Sequence, residues 1–294
     1  MKTYLDCIPC FFKQALEAAR LAGASESTQK RVIDELAKIL PDFPLTSSPP
    51  EMGRIIYKLI NKITRTDDPY LALKDKSNRL ALNMEDELRK KINRSHDRLL
   101  TAIELAILGN IIDYGAKNTL DVDAELAKIL REGNRSTKLA GKDNFHYVQF
   151  RECLSEARTI LYLADNSGEV VFDKILIEEI KRCAGNKKII YAVKEKPIIN
   201  DALIDDAYTC GMQGVAGVVS CGADAPGTIL SLCSKKFLEI YGKAEMIISK
   251  GQGNFEALST EKRPIFFLFM AKCPVIARDV GCNVGDVILK YNAV

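Results

Sequence analysis

From residue 155 onward the chain repeats one pattern: a short β-branched and apolar run, a polar or glycine-containing break, then a stretch with helical spacing. The runs are 159–164 (TILYLA), 188–193 (KIIYAV), 215–220 (VAGVVS), 246–249 (MIIS), 265–270 (IFFLFM) and a short sixth at 274–277 (PVIA). Helical patterns over 170–183, 201–210 and 227–241 separate most of them. Strands that are apolar throughout and alternate with helices predict a parallel sheet covered on both faces. The fold class expected is α/β, with a Rossmann-like three-layer α/β/α core over residues 151–294. In such sheets ligands bind outside the carboxyl ends of the strands.

The first half reads differently. Apolar residues recur at helical spacing over 11–22, 27–40, 52–63 and 97–114, and 71–91 reads as a more polar helix. A Pro- and Ser-rich loop at 41–50 interrupts the series. Residues 1–150 are therefore expected to form a helical N-terminal part, either a unit of its own or packed as one unit with the core. A length of 294 residues fits one large domain or two smaller ones.

Whole-chain properties narrow the partners. A net charge of +3 gives no basic surplus for nucleic acid, and there is no Trp to build a stacking platform. No apolar run approaches the roughly 20 residues of a membrane span. The stretch Met1-Lys2-Thr3-Tyr4-Leu5-Asp6-Cys7 places a carboxylate and a thiol where a signal peptide needs an apolar core, so a cytoplasmic location is expected. Nine cysteines, an odd count mostly in apolar segments, fit reduced thiols better than a disulfide framework. With only His96 and His146 present, histidine-based triads and His-rich metal sites are disfavoured.

The predicted strand ends carry the chemistry. The first runs into Asp165-Asn166-Ser167-Gly168-Glu169, the second into Lys194-Glu195-Lys196-Pro197 and then Asn200-Asp201. The third runs into Cys221-Gly222-Ala223-Asp224-Ala225-Pro226-Gly227, and the fourth into Lys250-Gly251-Gln252-Gly253-Asn254-Phe255-Glu256. The fifth leads to Lys272. Carboxylate and amide oxygens are hard ligands suited to Mg²⁺ or Mn²⁺, so Asp165 and Asn166 are candidate metal ligands. The same residues also make good helix caps. Asp201 is a third candidate ligand, with Asn200 beside it, and it serves equally as a first-turn helix carboxylate. Lys250 and Lys272 are placed to offset phosphate charge, although most lysines are simply solvated. The glycine loop at 250–256 is neither a Walker loop nor a dinucleotide fingerprint.

Two further features stay open at this level. Asn110 and Asp113 share a face of the apolar helix at 97–114, where they either bond a neighbouring loop or line a pocket. Cys7 and Cys10 form a single Cys-x-x-Cys with no second pair, and read best as two buried thiols at helical spacing.

Taken together, these motifs resemble the metal-dependent damage-control phosphatase family, long catalogued as domain of unknown function 89. The likeness is strongest to the prokaryotic branch with an N-terminal Cys-x-x-Cys. It spans Asp6-Cys7-Ile8-Pro9-Cys10, Asp68-Pro69-Tyr70 with Lys74 and Asn78, and Gly109-Asn110-Ile111-Ile112-Asp113. It continues through Asp165-Asn166-Ser167-Gly168-Glu169 with Phe172-Asp173, Lys196-Pro197 with Asn200-Asp201, Lys250 to Asn254, and Ala271-Lys272-Cys273-Pro274. The resemblance implies a divalent metal cofactor (Mn, Mg, Co or Ni) on Asp165, Asn166 and Asp201. It also implies hydrolysis of small phosphate esters: sugar phosphates and damaged or side-product phosphometabolites.

In that reading Glu169 or Asp173 steadies the metal's surroundings or the water, and Lys272, with Lys250, offsets developing charge. Asn110, Asp113, Asn254 and Glu256 face the organic part of the substrate. Two rival readings remain: an adenosylmethionine-dependent protein carboxyl methyltransferase, and a non-catalytic metabolite-binding protein.

Overall fold

The computed structural model describes residues 1–109, 143–185 and 187–292. Five α-helices come first: α1 (Ile8–Leu21), α2 (Glu26–Ile39), α3 (Pro49–Thr64), α4 (Leu71–Arg94) and α5 (Arg98–Leu108). Then follow α6 (Tyr147–Glu156), β1 (Thr159–Leu163), α7 (Val170–Ala184), β2 (Lys188–Val193), α8 (Ile204–Thr209) and β3 (Gly217–Ser220). The chain continues through α9 (Lys235–Lys243), β4 (Met246–Lys250), α10 (Gln252–Leu258), β5 (Ile265–Met270), α11 (Pro274–Val280) and β6 (Val287–Asn292). The six strands form one sheet in the order β3-β2-β1-β4-β5-β6. All neighbours are parallel except β5 and β6, which run antiparallel.

Alternation along each strand sends side chains to two separate cores. Ile160 and Tyr162 of β1, Met246 and Ile248 of β4, and Phe266 and Leu268 of β5 join the core beneath α4, α5, α6 and α7. Leu161, Leu163, Ile247, Phe267 and Phe269 face the opposite core, with Phe237 of α9, Phe255 of α10 and Ile276 of α11. This is the three-layer architecture expected of strands that are apolar on both faces. A third cluster holds α1, α2 and α3 together around Ala15, Leu36, Met52 and Ile56, and takes in Ile198 from the loop after β2. Helices α4 and α5 share one continuous apolar core with the sheet.

Several sequence expectations change. Residues 274–277 form the start of α11, not a strand: Pro274 occupies the first turn after an extended Cys273, and Gly281 closes the helix in the left-handed region. The sixth strand is Val287–Asn292, an antiparallel edge whose apolar start follows a turn at 283–286. The helix expected over 227–241 is only Lys235–Lys243, capped by the Ser234 hydroxyl, which accepts from the Phe237 amide. The helix expected from residue 201 starts at Ile204, because Asp201 is drawn into a bridge with Asn166. The predicted helix at 97–114 is observed as Arg98–Leu108, and its continuation, with Asn110 and Asp113, lies outside the described residues. Cys10 is exposed and Cys7 half-buried at the start of α1, so the pair is not the buried pair expected.

Candidate active site

The order of strands reverses between β1 and β4, the switch point where open α/β sheets bind ligands. Asp165 leaves β1 at that point, and Gly251 leaves β4 beside it. Gly251 has φ +82°, and a Cβ added there would stand 2.1 Å from the Asp165 carboxylate. A side chain at 251 would therefore displace Asp165 from the position it holds.

The two predicted ligand loops are stitched together by backbone. The Ser167 amide donates to the Asn200 carbonyl at 2.9 Å, and the Ala202 amide donates to the Asp165 carbonyl at 2.8 Å. Residues Asn166 and Asp201 thereby form an antiparallel bridge. These bonds bring Asp201 beside the adjacent Asp165 and Asn166, which precede it by 36 and 35 residues along the chain.

Side-chain bonds fix the donors further. Asn166 Nδ2 donates to Asp165 Oδ2 at 3.1 Å and to Glu169 Oε1 at 2.8 Å. Both amide hydrogens are thus used on carboxylates, which leaves Oδ1 as the amide's acceptor atom. The other Glu169 oxygen accepts from Lys250 Nζ at 2.7 Å, and Lys250 donates again to Asp173 Oδ1 at 2.8 Å. Asp173 also accepts from the Tyr162 hydroxyl at 2.7 Å and the Tyr191 hydroxyl at 2.8 Å. Asp173 is wholly buried beneath the site and bonded on both oxygens, so it acts as the anchor of Lys250.

The electrostatics favour a cation. Burial pushes the Asp165 pKa well above the ordinary carboxylate range, Glu169 and Asp201 push the same way, and Lys272 and Lys250 pull against them. Burial raises Asp173 too, against the pull of Lys250. Burial lowers the Lys250 pKa, but Asp173 and Glu169 outweigh that and raise it above the ordinary value.

A divalent ion fits this donor chemistry. Two carboxylates and an amide oxygen are hard ligands. Ser167 Oγ and Asn200 Nδ2, each next to a candidate ligand, are buried without a hydrogen-bond partner. Among the described residues no group of three or more His, Cys, Asp or Glu side chains is placed to hold a metal ion.

The remaining predicted residues take distinct places. A narrow cavity at the site is lined by Ile107, Asp165, Glu169, Gly251, Gln252 and Lys272. Lys272 is exposed at its rim, where its backbone amide donates to Gln252 Oε1 at 3.2 Å. Glu256 accepts from Gln252 Nε2 at 2.9 Å, and burial pushes its pKa up to about 7 despite that bond. Asn254 is fully buried, and both ends of its amide are engaged: Nδ2 donates to the carbonyls of Ala164 and Lys250, and Oδ1 accepts from Thr228. That geometry makes Asn254 the tie between the β1 and β4 ends. A roomier cavity lined by Phe255, Ser259, Asp279 and Lys290 contains none of the candidate ligands.

The helical part braces the site from one side. Lys74 Nζ lies 2.7 Å from Asp68 Oδ2, and Asn78 Nδ2 donates to Asp206 Oδ1 at 2.7 Å, joining α4 to α8. On α3, Arg54 and Lys58 pair with Asp224 at the β3 end at 2.5 and 3.1 Å. The residues not foreseen are Tyr162, Tyr191 and Lys194. Tyr162 and Tyr191 are register partners on β1 and β2, and a tyrosine in a fully buried strand signals a hydroxyl in need of a partner. Lys194 lies buried 3.8 Å from Asp201 Oδ2, and its signal was a lysine placed directly after an apolar strand.

Comparison with known proteins agrees with this architecture. The sequence model of the damage-control phosphatase ARMT1-like domain matches residues 3–288. A damage-control phosphatase of Pyrococcus horikoshii is 34% identical over 99% of both chains. A damage-control phosphatase of Archaeoglobus fulgidus is 31% identical, again over 99% of each. The crystal structure of a DUF89 family protein from P. horikoshii superposes with a TM-score of 0.87 at 32% identity, covering 99% of both chains. With the family model spanning nearly its whole length, the chain belongs to the damage-control phosphatase ARMT1-like domain family.

Proposed function

We propose that this protein is a metal-dependent phosphatase that hydrolyses small phosphorylated metabolites: sugar phosphates and damaged or side-product phosphometabolites. The observation that carries the reading is the bridge between Asn166 and Asp201, which sets three hard oxygen donors around the sheet's switch point. Full-length relatives named as damage-control phosphatases support it. The Cys7-x-x-Cys10 start fits the prokaryotic branch of the family. Among the described residues no helix is long and apolar enough to cross a membrane, which is consistent with the cytoplasmic location proposed for it.

Asp165, Asn166 and Asp201 would hold Mg²⁺, Mn²⁺, Co²⁺ or Ni²⁺. When bound, such an ion polarises a phosphoryl group and lowers the pKa of water. The chain's own residues do the rest. Glu169 holds the Asn166 amide in the orientation that presents Oδ1. Lys250 balances the charge of Glu169 and Asp173, so that the carboxylate cluster survives burial. Lys272, at the cavity rim, offsets phosphoryl charge. Glu256 and, beyond the described residues, Asn110 and Asp113 are assigned to the organic part of the substrate.

The test is release of inorganic phosphate from a panel of sugar and cofactor phosphates, with each ion and with chelator. Hydrolysis that needs the ion supports the reading. Absence of release from folded protein with every ion sinks it and leaves methyl transfer or metabolite binding.

A further inference from the structure

Four lysines of the described chain are buried, and three of them are hydrogen-bonded to carboxylates. Lys74 meets Asp68 at 2.7 Å, Lys174 meets Glu85 at 2.9 Å, and Lys250 meets Glu169 and Asp173. Lys194 is the exception. It is 3% exposed, its nearest carboxylate oxygen is Asp201 Oδ2 at 3.8 Å, and among the described residues its ammonium donates no hydrogen bond. A distance of 3.8 Å lies outside hydrogen-bond range. An ammonium removed from water without acceptors is costly, and the cost is recovered when an anion arrives.

Position makes the anion specific. The Lys194 amide donates to the Ala202 carbonyl at 3.0 Å, which pins the residue beside the Asp201 loop. Lys194 therefore approaches the donor set from the β2 side, while Lys250 ends β4 and Lys272 follows β5 on the other. Lys250 is committed to its two carboxylates, but Lys194 keeps its donors for a ligand.

We propose that Lys194 receives the phosphoryl group of the substrate, and the orthophosphate product, as the protein-side partner of the ion on Asp165, Asn166 and Asp201. This rests on the reading of those three residues as the metal site. It makes Lys194 a specific phosphate-binding residue rather than a counter-ion for Asp201.

Two roles for Lys194 predict opposite changes. A counter-ion for Asp201 would alter metal affinity and leave phosphate affinity alone. A phosphate receiver does the reverse. Calorimetry of the Mn²⁺-loaded protein with orthophosphate should show Lys194→Gln weakening phosphate binding about 10- to 100-fold, the worth of one charge-assisted hydrogen bond. Mn²⁺ affinity should hold, and Lys194→Arg should recover most of the phosphate affinity. Unchanged phosphate affinity in folded Lys194→Gln overturns the proposal.

A second measurement needs no variant: a crystal of the wild-type protein soaked with Mn²⁺ and orthophosphate. Phosphate hydrogen-bonded to Lys194 Nζ supports the proposal, whereas phosphate seated elsewhere, or none, overturns it. The ligand reading fails separately, if Asp201→Asn binds Mn²⁺ as tightly as wild type.

Discussion

The α-carbon of Gly251 stands so close to Asp165 that a single added methyl group would lie 2.1 Å from the carboxylate carbon. The glycine also has a left-handed φ of +82°, which an L side chain adopts only with strain. Gly251→Ala should therefore do two things. Strain should destabilise the fold by about 1–3 kcal/mol in urea unfolding. Displacement of Asp165 should weaken Mn²⁺ binding by about tenfold or more, read by calorimetry as the loss of roughly 1.4 kcal/mol. Wild-type metal affinity in this variant would show that the close approach does not position Asp165.

Lys250 is a buried ammonium between two buried carboxylates. Lys250→Met leaves Glu169 and Asp173 without their cation, and breaking a buried pair in this way costs about 3–5 kcal/mol. Lys250→Met combined with Asp173→Asn should regain part of that loss, because one of the stranded charges goes with it. Urea unfolding of wild type, both single variants and the double variant measures the coupling. Additive effects would contradict the network.

Glu256 supplies a pH signature for stability. Burial raises its pKa from the ordinary 4.5 to about 7, with Gln252, the amino terminus and Lys272 opposing the shift. Between those values the folded chain holds a proton that the unfolded chain has released. Its contribution to stability is complete below pH 4.5, declines as pH rises towards 7, and changes little above it. Glu256→Gln should flatten that decline. The check is the urea midpoint at about pH 5 and about pH 8 for both proteins. An equal drop in the two would remove Glu256 as the cause.

Much of the fold was legible because its strands are buried on both faces. The runs at 188–193 and 265–270 are strands with those bounds, since short β-branched and aromatic runs suit a sheet covered on both faces. The short PVIA run misled because four apolar residues carry no period, and Pro274 at the first turn and Gly281 at the end decide for helix. The partner roles within the site were less legible. Asp165, Asn166 and Asp201 stood out as hard ligands at strand ends, but only the backbone bridge shows that the loops meet. Nothing in the spacing of Asn254 told that its amide would tie Ala164 to Lys250. Lys194 looked like any lysine after a strand, and its burial follows from the path of the loop that returns Asp201 to Asn166.

The most direct test is anomalous diffraction from a crystal soaked in Mn²⁺. One anomalous peak is predicted, about 2.0–2.4 Å from oxygens of Asp165, Asn166 and Asp201, with the peak absent in Asp165→Ala. A Mn²⁺-dependent enzyme whose peak lies elsewhere, or whose peak survives that substitution, would contradict the site described.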